Sequence, residues 1–399
     1  MRQDPGVSGT VPYWLDETYE PRPALAGRVE TEACVIGAGV AGISCALALA
    51  RRGVDVVVVE RGTVASGASG RNGGFLIAGI AQFHNDARRI YGREHARRLY
   101  AATLAAQEQV LALAEELGAG DSLRRVGLLR ASASEKEAEH VRAHAAALRE
   151  DGFPGELLAR AELPPGVARY AHNALFTPHD AALHPVRWYR LLGEALDSAG
   201  VRVHEGSPVE APVPAPAEGD VQTSGGSVAA RHVVVAADGA LPALVPEYSA
   251  RVRARRLHML ATEPLDARLG EPLVYSRFGF EYWHQRPDGR LLAGGFSDVD
   301  GEASYTDSDA GSDRLWERIE RFVRDDLGAA AAVTHRWAGV VGYSEDSLPF
   351  VGEVPGRPGL YVAGGYSGVG NVPGFLAGRE LADAIAGAAA GAPLFRASR

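Results

Sequence analysis

Hydrophobic positions along the chain first gather in "EACVIGAG", where a short apolar run from Ala33 to Ile36 ends on glycines. The next stretch, "VAGISCALALARRG", is small and apolar on every face and closes on Gly53, which predicts a buried helix. "VDVVVVE" follows, a continuous β-branched run that predicts a strand covered on both faces. Strand, helix and strand together make a βαβ unit. Residues 86–117 are rich in Ala, Leu and Arg and are expected to be helical. Ser134 with Glu137 has capping-box spacing and opens a helix to Glu150. "HPVRWYRLLGEALDSAG" predicts an amphipathic helix, "VRVHEG" a strand, and "DVQTSGGSVAARHVVVAADGA" a hairpin about Gly225 and Gly226 that runs into a buried strand.

Between residues 250 and 300 the period changes to two, in "RRLHMLATEP", "LVYSRFGFEYWHQ" and "RLLAGGF", with "PDG" at 287–289 as a hairpin turn. Residues 313–328 return to helix. The chain ends with the strand "GLYVAGG", a glycine-rich turn and a helix from about Val372. The layout is an α/β domain interrupted by an antiparallel segment and completed by the C-terminus. Residues 1–31 form an arm, with "VPYWLDETYEPRPAL" expected to lie across the surface.

Composition narrows the chemistry. With 399 residues, 46% of them hydrophobic and 23% charged, the chain is long enough for two domains. A net charge of −9 argues against nucleic acid and anionic membrane as partners. No run reaches the roughly 18 apolar residues of a membrane helix, and a cytoplasmic protein is expected. Lys136 is the only lysine and sits on a polar helical face, which disfavours Schiff-base and pyridoxal mechanisms. Cys34 and Cys45 fall in a strand and a helix as buried thiols, so neither a disulfide framework nor a metal site is indicated.

"GAGVAG" sets Gly37, Gly39 and Gly42 in G-x-G-x-x-G spacing between the first strand and its helix, with Val40 opening that helix. The first glycine allows the turn, the second admits a pyrophosphate to the backbone, and the third packs helix on strand. Glu60 ends the second strand 18 residues past Gly42, where a carboxylate accepts from a ribose diol. The triplet alone does not choose between nicotinamide and flavin dinucleotides. The loop "GASGRNGG", residues 67–74, followed by long helices rather than further βα units, favours the flavin.

With these features the chain resembles the FAD-dependent glycine, D-amino acid and sarcosine oxidase (DAO) superfamily, most closely its gamma-glutamylputrescine oxidase-like members. The resemblance covers nearly the whole chain and is carried by "YWLD", "CVIGAGVAGISCALALARRG", "GASGRNGG", "HPVRWYRLL", "VAADGA", "DGRLLAGG", "RWAGVVGYSEDSLPFVGE" and "GGYSGVGNVPGFLAGRELADAI". It implies an α/β (α+β two-domain) fold: a Rossmann-like FAD-binding domain (32–80, 165–245 and 335–399) and a discontinuous substrate domain on an antiparallel sheet (81–164 and 246–334). It implies that Arg61 and Ser66, then Ser69, Gly70, Arg71, Asn72, Gly73 and Gly74, run along the pyrophosphate and flavin edge. Val209 would lie at the adenine and Ala237 and Gly239 beside the flavin. Gly365, Tyr366, Gly368, Gly370, Asn371 and Val372 would turn beneath the pyrimidine edge, with Asn371 as helix cap.

The resemblance further implies oxidation of an amine C–N bond, with hydride passing to flavin N5. The imine hydrolyses to aldehyde or ketone, and the flavin is reoxidised by O2, giving H2O2, or by another acceptor. Two departures bear on the substrate. Val341 stands where glycine- and D-amino-acid-type members often carry a carboxylate-binding Arg, while Arg336 faces elsewhere; this favours an amine without an α-carboxylate. The alternative is an amino acid oxidase or dehydrogenase whose carboxylate Arg has moved, for instance to Arg286. Lys136 is not in the strand that supplies an oxygen-activating lysine in sarcosine-oxidase-type members, so a dehydrogenase stays open. Gly339 stands near the place of a linking cysteine, so FAD is expected to be non-covalent. Tyr282 and His284 share one face of the roof sheet and, with Tyr366, are the candidate catalytic residues. His258 reads as structural, His84 and Phe75 as possible lining of the entrance, and Asp346 as shaping a turn. A flavin monooxygenase is the alternative from another class, and a non-enzymatic flavin protein the plainest one. Monomer and homodimer both remain open.

Overall fold

The computed structural model describes residues 9–388 and 393–398. Three sheets organise the chain. The first has seven strands in the order Phe350–Glu353, Leu360–Gly364, Gly226–Val235, Gly27–Ile36, Val56–Val59 and Arg202–His204, with Val221–Gln222 hairpinned onto Gly226–Val235. Its centre is parallel, and Cys34, Val35, Val57, Val58, Val233 and Val234 are fully enclosed. Such strands need apolar residues in succession rather than in alternation, which is why "VVVV" is a strand here.

The helix Val40–Ala50 covers one face and crosses the C-terminal helix Asn371–Ile385. That crossing is close. A Cβ at Gly378 would lie 2.4 Å from the Ala41 carbonyl oxygen and 2.7 Å from the Cys45 nitrogen. The Ser44 hydroxyl donates to the Phe375 carbonyl at 2.7 Å.

The second sheet has eight strands, in the order Val333–Ser344, Val252–Pro264, Arg290–Gly295, Glu281–Gln285, Leu273–Ser276, Leu128–Ala131, Asn173–Thr177 and Glu156–Ala159. It is antiparallel except where Leu273–Ser276 meets Leu128–Ala131. One face packs on the helix Asp313–Arg321 through Trp283, Leu291, Phe296 and Trp316. The other face looks back toward the first sheet. A short three-stranded sheet of Phe75–Leu76, Ala181–Leu183 and Leu123–Arg125 bridges the two.

Several boundaries differ from the sequence reading. The first strand starts at Gly27, so the end of the arm is already in the sheet, while residues 1–8 lie outside the described residues. The helix expected over 86–117 is two helices, His84–Tyr91 and Arg93–Glu116, broken at Gly92 with φ +84°. The capping box at Ser134 is half formed. Ser134 Oγ accepts from the Glu137 amide at 3.2 Å, but the Glu137 carboxylate takes the Ala133 and Phe278 amides instead. Strands Asn173–Thr177 and Val333–Ser344 join the eight-stranded sheet.

Candidate active site

Each glycine of the triplet has a separate reason to be glycine. Gly37 has φ +105°, and a Cβ there would sit 2.7 Å from the Ala236 carbonyl oxygen. At Gly42 it would fall 1.9 Å from the Gly37 oxygen. At Gly39 it would meet Ser69 Oγ at 2.9 Å, the same oxygen that accepts from the Val40 amide at 2.9 Å. Glu60 braces the turn from the next strand, its carboxylate accepting from the Ala38 and Gly62 amides, both at 2.8 Å. Burial pushes that carboxyl above its ordinary value.

The loop from Gly67 to Gly74 is pinned from outside. Three successive carbonyls each meet a ring N–H from a different part of the chain. Trp337 Nε1 donates to Arg71 O at 2.9 Å, Trp14 Nε1 to Asn72 O at 2.7 Å, and His284 Nε2 lies 3.0 Å from Gly73 O. Since a carbonyl only accepts, His284 carries its proton on Nε2. Within the loop, Arg71 donates to the Ser66 and Ala338 carbonyls and pairs with Asp309 at 2.9 Å. Ser66 Oγ accepts from the Thr63 amide, and Asn72 Oδ1 from the Gly74 amide. A Cβ at Gly70 would lie 2.0 Å from the Ala65 oxygen.

The C-terminal glycine turn is held by Asp238, whose carboxylate accepts from the Gly342 and Gly365 amides, both at 2.9 Å. Gly365 and Gly368 have φ +79° and +89°. Asn371 is not the helix cap. Gly370 occupies that place without a side-chain bond, and Asn371 is the first helical residue. Its side chain turns aside instead, donating to Phe75 O at 2.8 Å and accepting from the Tyr189 hydroxyl at 2.8 Å. A polar side chain that finds fixed partners across the cavity has no need to fold back on its own helix.

A cavity of about 430 Å³ lies between these turns and the eight-stranded sheet. Of the residues singled out from sequence, Gly39, Val40, Ser69, Arg71, Asn72 and Gly73 line one wall. Tyr366, Gly368, Gly370 and Asn371 line a second, and Tyr282 the roof. Gly37, Gly42, Glu60, Arg61, Ser66, Gly70 and Gly74 stand behind the first wall, and Ala237, Gly239, Gly365 and Val372 behind the second, none of them lining the cavity. Val209 is apart from it, bridged to Thr223.

His284 does not line the cavity either. It is buried against Trp14, Phe75 and the loop, so its part is to position the loop rather than to meet a substrate. His258 accepts from the Ser312 amide, His84 lies 2.8 Å from Asp151, and Asp346 accepts from the Leu348 amide in its own turn; none of the three lines the main cavity. Phe75 does line it. Arg336 is held by Glu320, and Arg286 lies over the Trp14 ring, both outside the cavity. Sequence reading missed Asp238, Arg130, Arg255, Tyr275 and Tyr343, all of which line it. Only the strand pairing brings them together.

Burial, and secondarily Arg286, pushes the His284 imidazole from 6.5 down to about 3. The fold therefore binds fewer protons than the unfolded chain between those values. The contribution of the neutral ring is complete above its unfolded pKa and is lost as pH falls toward the folded one. His284→Gln is expected to remove this dependence. The stability gap between wild type and variant should shrink by about 1.4 kcal/mol per pH unit below about pH 6.5, read from urea unfolding of both proteins across the series. A gap that stays constant into acid would remove His284 from the account.

The residues present fit an FAD. The glycine turn and the 67–74 loop form a cradle that side chains would fill. The Tyr366 hydroxyl points into buried space with no hydrogen-bond partner among the described residues. Both cysteines are buried, their thiols pushed up to about 12.

Comparison with known proteins agrees with this geometry. Over 386 residues the chain is 29% identical to the "Probable oxidoreductase OrdL" of Rhizobium meliloti (strain 1021), covering 94% of this chain and 88% of that one. It is 28% identical to gamma-glutamylputrescine oxidoreductase of Escherichia coli (strain K12), covering 92% and 87%. The crystal structure of glycine oxidase from Geobacillus kaustophilus superposes with a TM-score of 0.78 at 25% identity, over 93% of this chain and 99% of that one. A family model described as FAD dependent oxidoreductase matches residues 32–384, and the chain belongs to that family, DAO.

Proposed function

We propose that the chain binds FAD non-covalently and oxidises the C–N bond of a small-molecule amine to an imine, which water hydrolyses to an aldehyde or ketone. Bound FAD would supply the hydride acceptor and pass the electrons on to O2, giving H2O2, or to another acceptor. The observation that carries this reading is the lining of the cavity. It joins the cofactor cradle to a roof of Tyr275, Tyr282 and Tyr343, and it contains no lysine and no histidine.

An amine that binds neutral needs no strong base, and the work left to the protein is then to orient its C–H bond and exclude water. Burial holds the Tyr282 and Tyr366 hydroxyls above their ordinary pKa, so both stay protonated and act as hydrogen-bond donors. In this scheme the parallel-sheet segments carry the cofactor and the antiparallel sheet the substrate. No helix among the described residues is long and apolar enough to cross a membrane.

The test uses purified holoprotein under argon. Acid precipitation should leave FAD in the supernatant. An amine panel should bleach the flavin band, and air should restore it quickly for an oxidase and slowly for a dehydrogenase. Bleaching by NADH or NADPH and by no amine would replace this reading with a monooxygenase.

A further inference from the structure

Arg255 belongs to the strand Val252–Pro264 and is the direct cross-strand partner of Val341 on Val333–Ser344. Paired residues in an antiparallel ladder share a face, with Cβ atoms about 5 Å apart. Both line the cavity. An arginine is therefore the cross-strand neighbour of Val341, on the strand that faces it.

Its surroundings are those of a cation kept for a ligand. Arg255 is 8% exposed, and its Nε donates to Ser304 Oγ at 3.0 Å. The guanidinium carbon lies 5.0 Å from the Tyr343 ring and 5.8 Å from the Phe280 ring. The flanking arginines are matched to acids: Arg253 to Glu302 at 2.7 Å and Arg256 to Asp300 at 3.8 Å. Arg255 has no carboxylate within ion-pair distance among the described residues.

Arg130 is a second arginine of this cavity, half-buried rather than enclosed. It lines the same cavity, lies 5.4 Å from the Phe83 ring and 5.6 Å from the Tyr275 ring, and forms no ion pair among the described residues. The Arg255 guanidinium is withdrawn from water without an anion, which is costly, so an occupant that brings one is favoured there. The FAD phosphates would not serve. Their cradle is the Gly39 and Ser69 wall, across the cavity from the sheet that carries both arginines.

Arg130 and Arg255 lie four strands apart in that sheet, about 19 Å at ~4.8 Å per strand. That is the separation of their backbones, and both side chains reach the one cavity between, where an extended molecule with an acid group at each end can meet the two. We propose that the substrate is an elongated amine with an acid group at each end, one carboxylate held by Arg255 and the other by Arg130. This rests on the amine-oxidation reading and replaces the expectation of an amine without a carboxylate.

The test uses the holoprotein with three probes: butylamine, N-methylglycine and N-(5-carboxypentyl)glycine. Perturbation of the flavin band gives Kd, and anaerobic bleaching gives the rate. The diacid should bind tightest and butylamine weakest. Arg255→Gln should cut the preference for N-methylglycine over butylamine by about 10- to 100-fold, with partial rescue in Arg255→Lys. Arg130→Gln should cut the preference for the diacid over N-methylglycine by a similar factor. Butylamine binding as tightly as the diacid to wild type would overturn the proposal without any variant. So would equal losses on all three probes in either variant. Tight diacid binding with no bleaching by any amine would keep the anion sites and overturn amine oxidation instead.

Discussion

Asp238→Ala is expected to lose about 3 kcal/mol of folding stability, together with most of the affinity for FAD. One carboxylate joins three segments that are distant in sequence: the turn after strand Gly226–Val235, the C-terminal end of Val333–Ser344, and the glycine turn after Leu360–Gly364. Its two short amide bonds are charge-assisted and face the cavity wall, and alanine leaves both of these donors, and the Tyr366 amide at 3.5 Å, without that partner. The backbone adds to the cost, because Asp238 sits at φ +43° and Asp tolerates that region better than alanine does. Asp238→Asn keeps the shape but turns an NH2 group toward one of the two donors, so an intermediate loss is expected. Urea unfolding and FAD titration measure both effects. A variant that unfolds at the wild-type midpoint would show that the turn is held by something else.

Gly378→Ala is expected to be nearly as damaging, although it adds a single methyl group. That carbon would meet the backbone of the Val40–Ala50 helix at 2.4 and 2.7 Å, and backbone cannot move aside as a side chain can. The two helices must separate, at about 3 kcal/mol, the upper end of the usual cost of overpacking. Both helices begin at the cavity, at Val40 and Asn371, so their separation widens the site and FAD affinity should fall at least about tenfold. Gly374→Ala is the control. Its Cβ would meet only the tip of Val40, at 2.7 Å, and about 1 kcal/mol is expected. Equal losses in the two variants, measured by thermal unfolding, would contradict the helix-crossing account.

The parts of this protein that sequence exposed are those whose cause is local. "GAGVAG" is legible because its spacing is set within the turn itself, where Gly42 must clear the Gly37 carbonyl five residues back. "VVVV" is legible because a strand enclosed on both faces requires it. The break at Gly92 was missed since one glycine in a helical pattern carries no mark of its φ. Asp238, between Ala237 and Gly239, carries no such mark, because an Asp after a strand looks like ordinary turn chemistry. Its role depends on amides more than a hundred residues away. Arg255 was hidden for the same reason. The position of Val341 in the chain says nothing of the strand that faces it, which only the fold supplies. His284 shares the sheet face of Tyr282 yet meets the loop, since facing the loop and facing the cavity have the same period.

The loop of residues 67–74 is made early and secured late. Its ring donors come from residues 14, 284 and 337, at separations of 58, 211 and 266 residues from the carbonyls they hold. During synthesis the glycine turn and its first helix emerge long before the third ring exists, and the helix that carries Asn371 comes later still. Cofactor capture therefore belongs to the finished chain, not to the nascent βαβ unit. A ribosome-stalled product ending before residue 337 would carry the whole dinucleotide motif and hold no flavin.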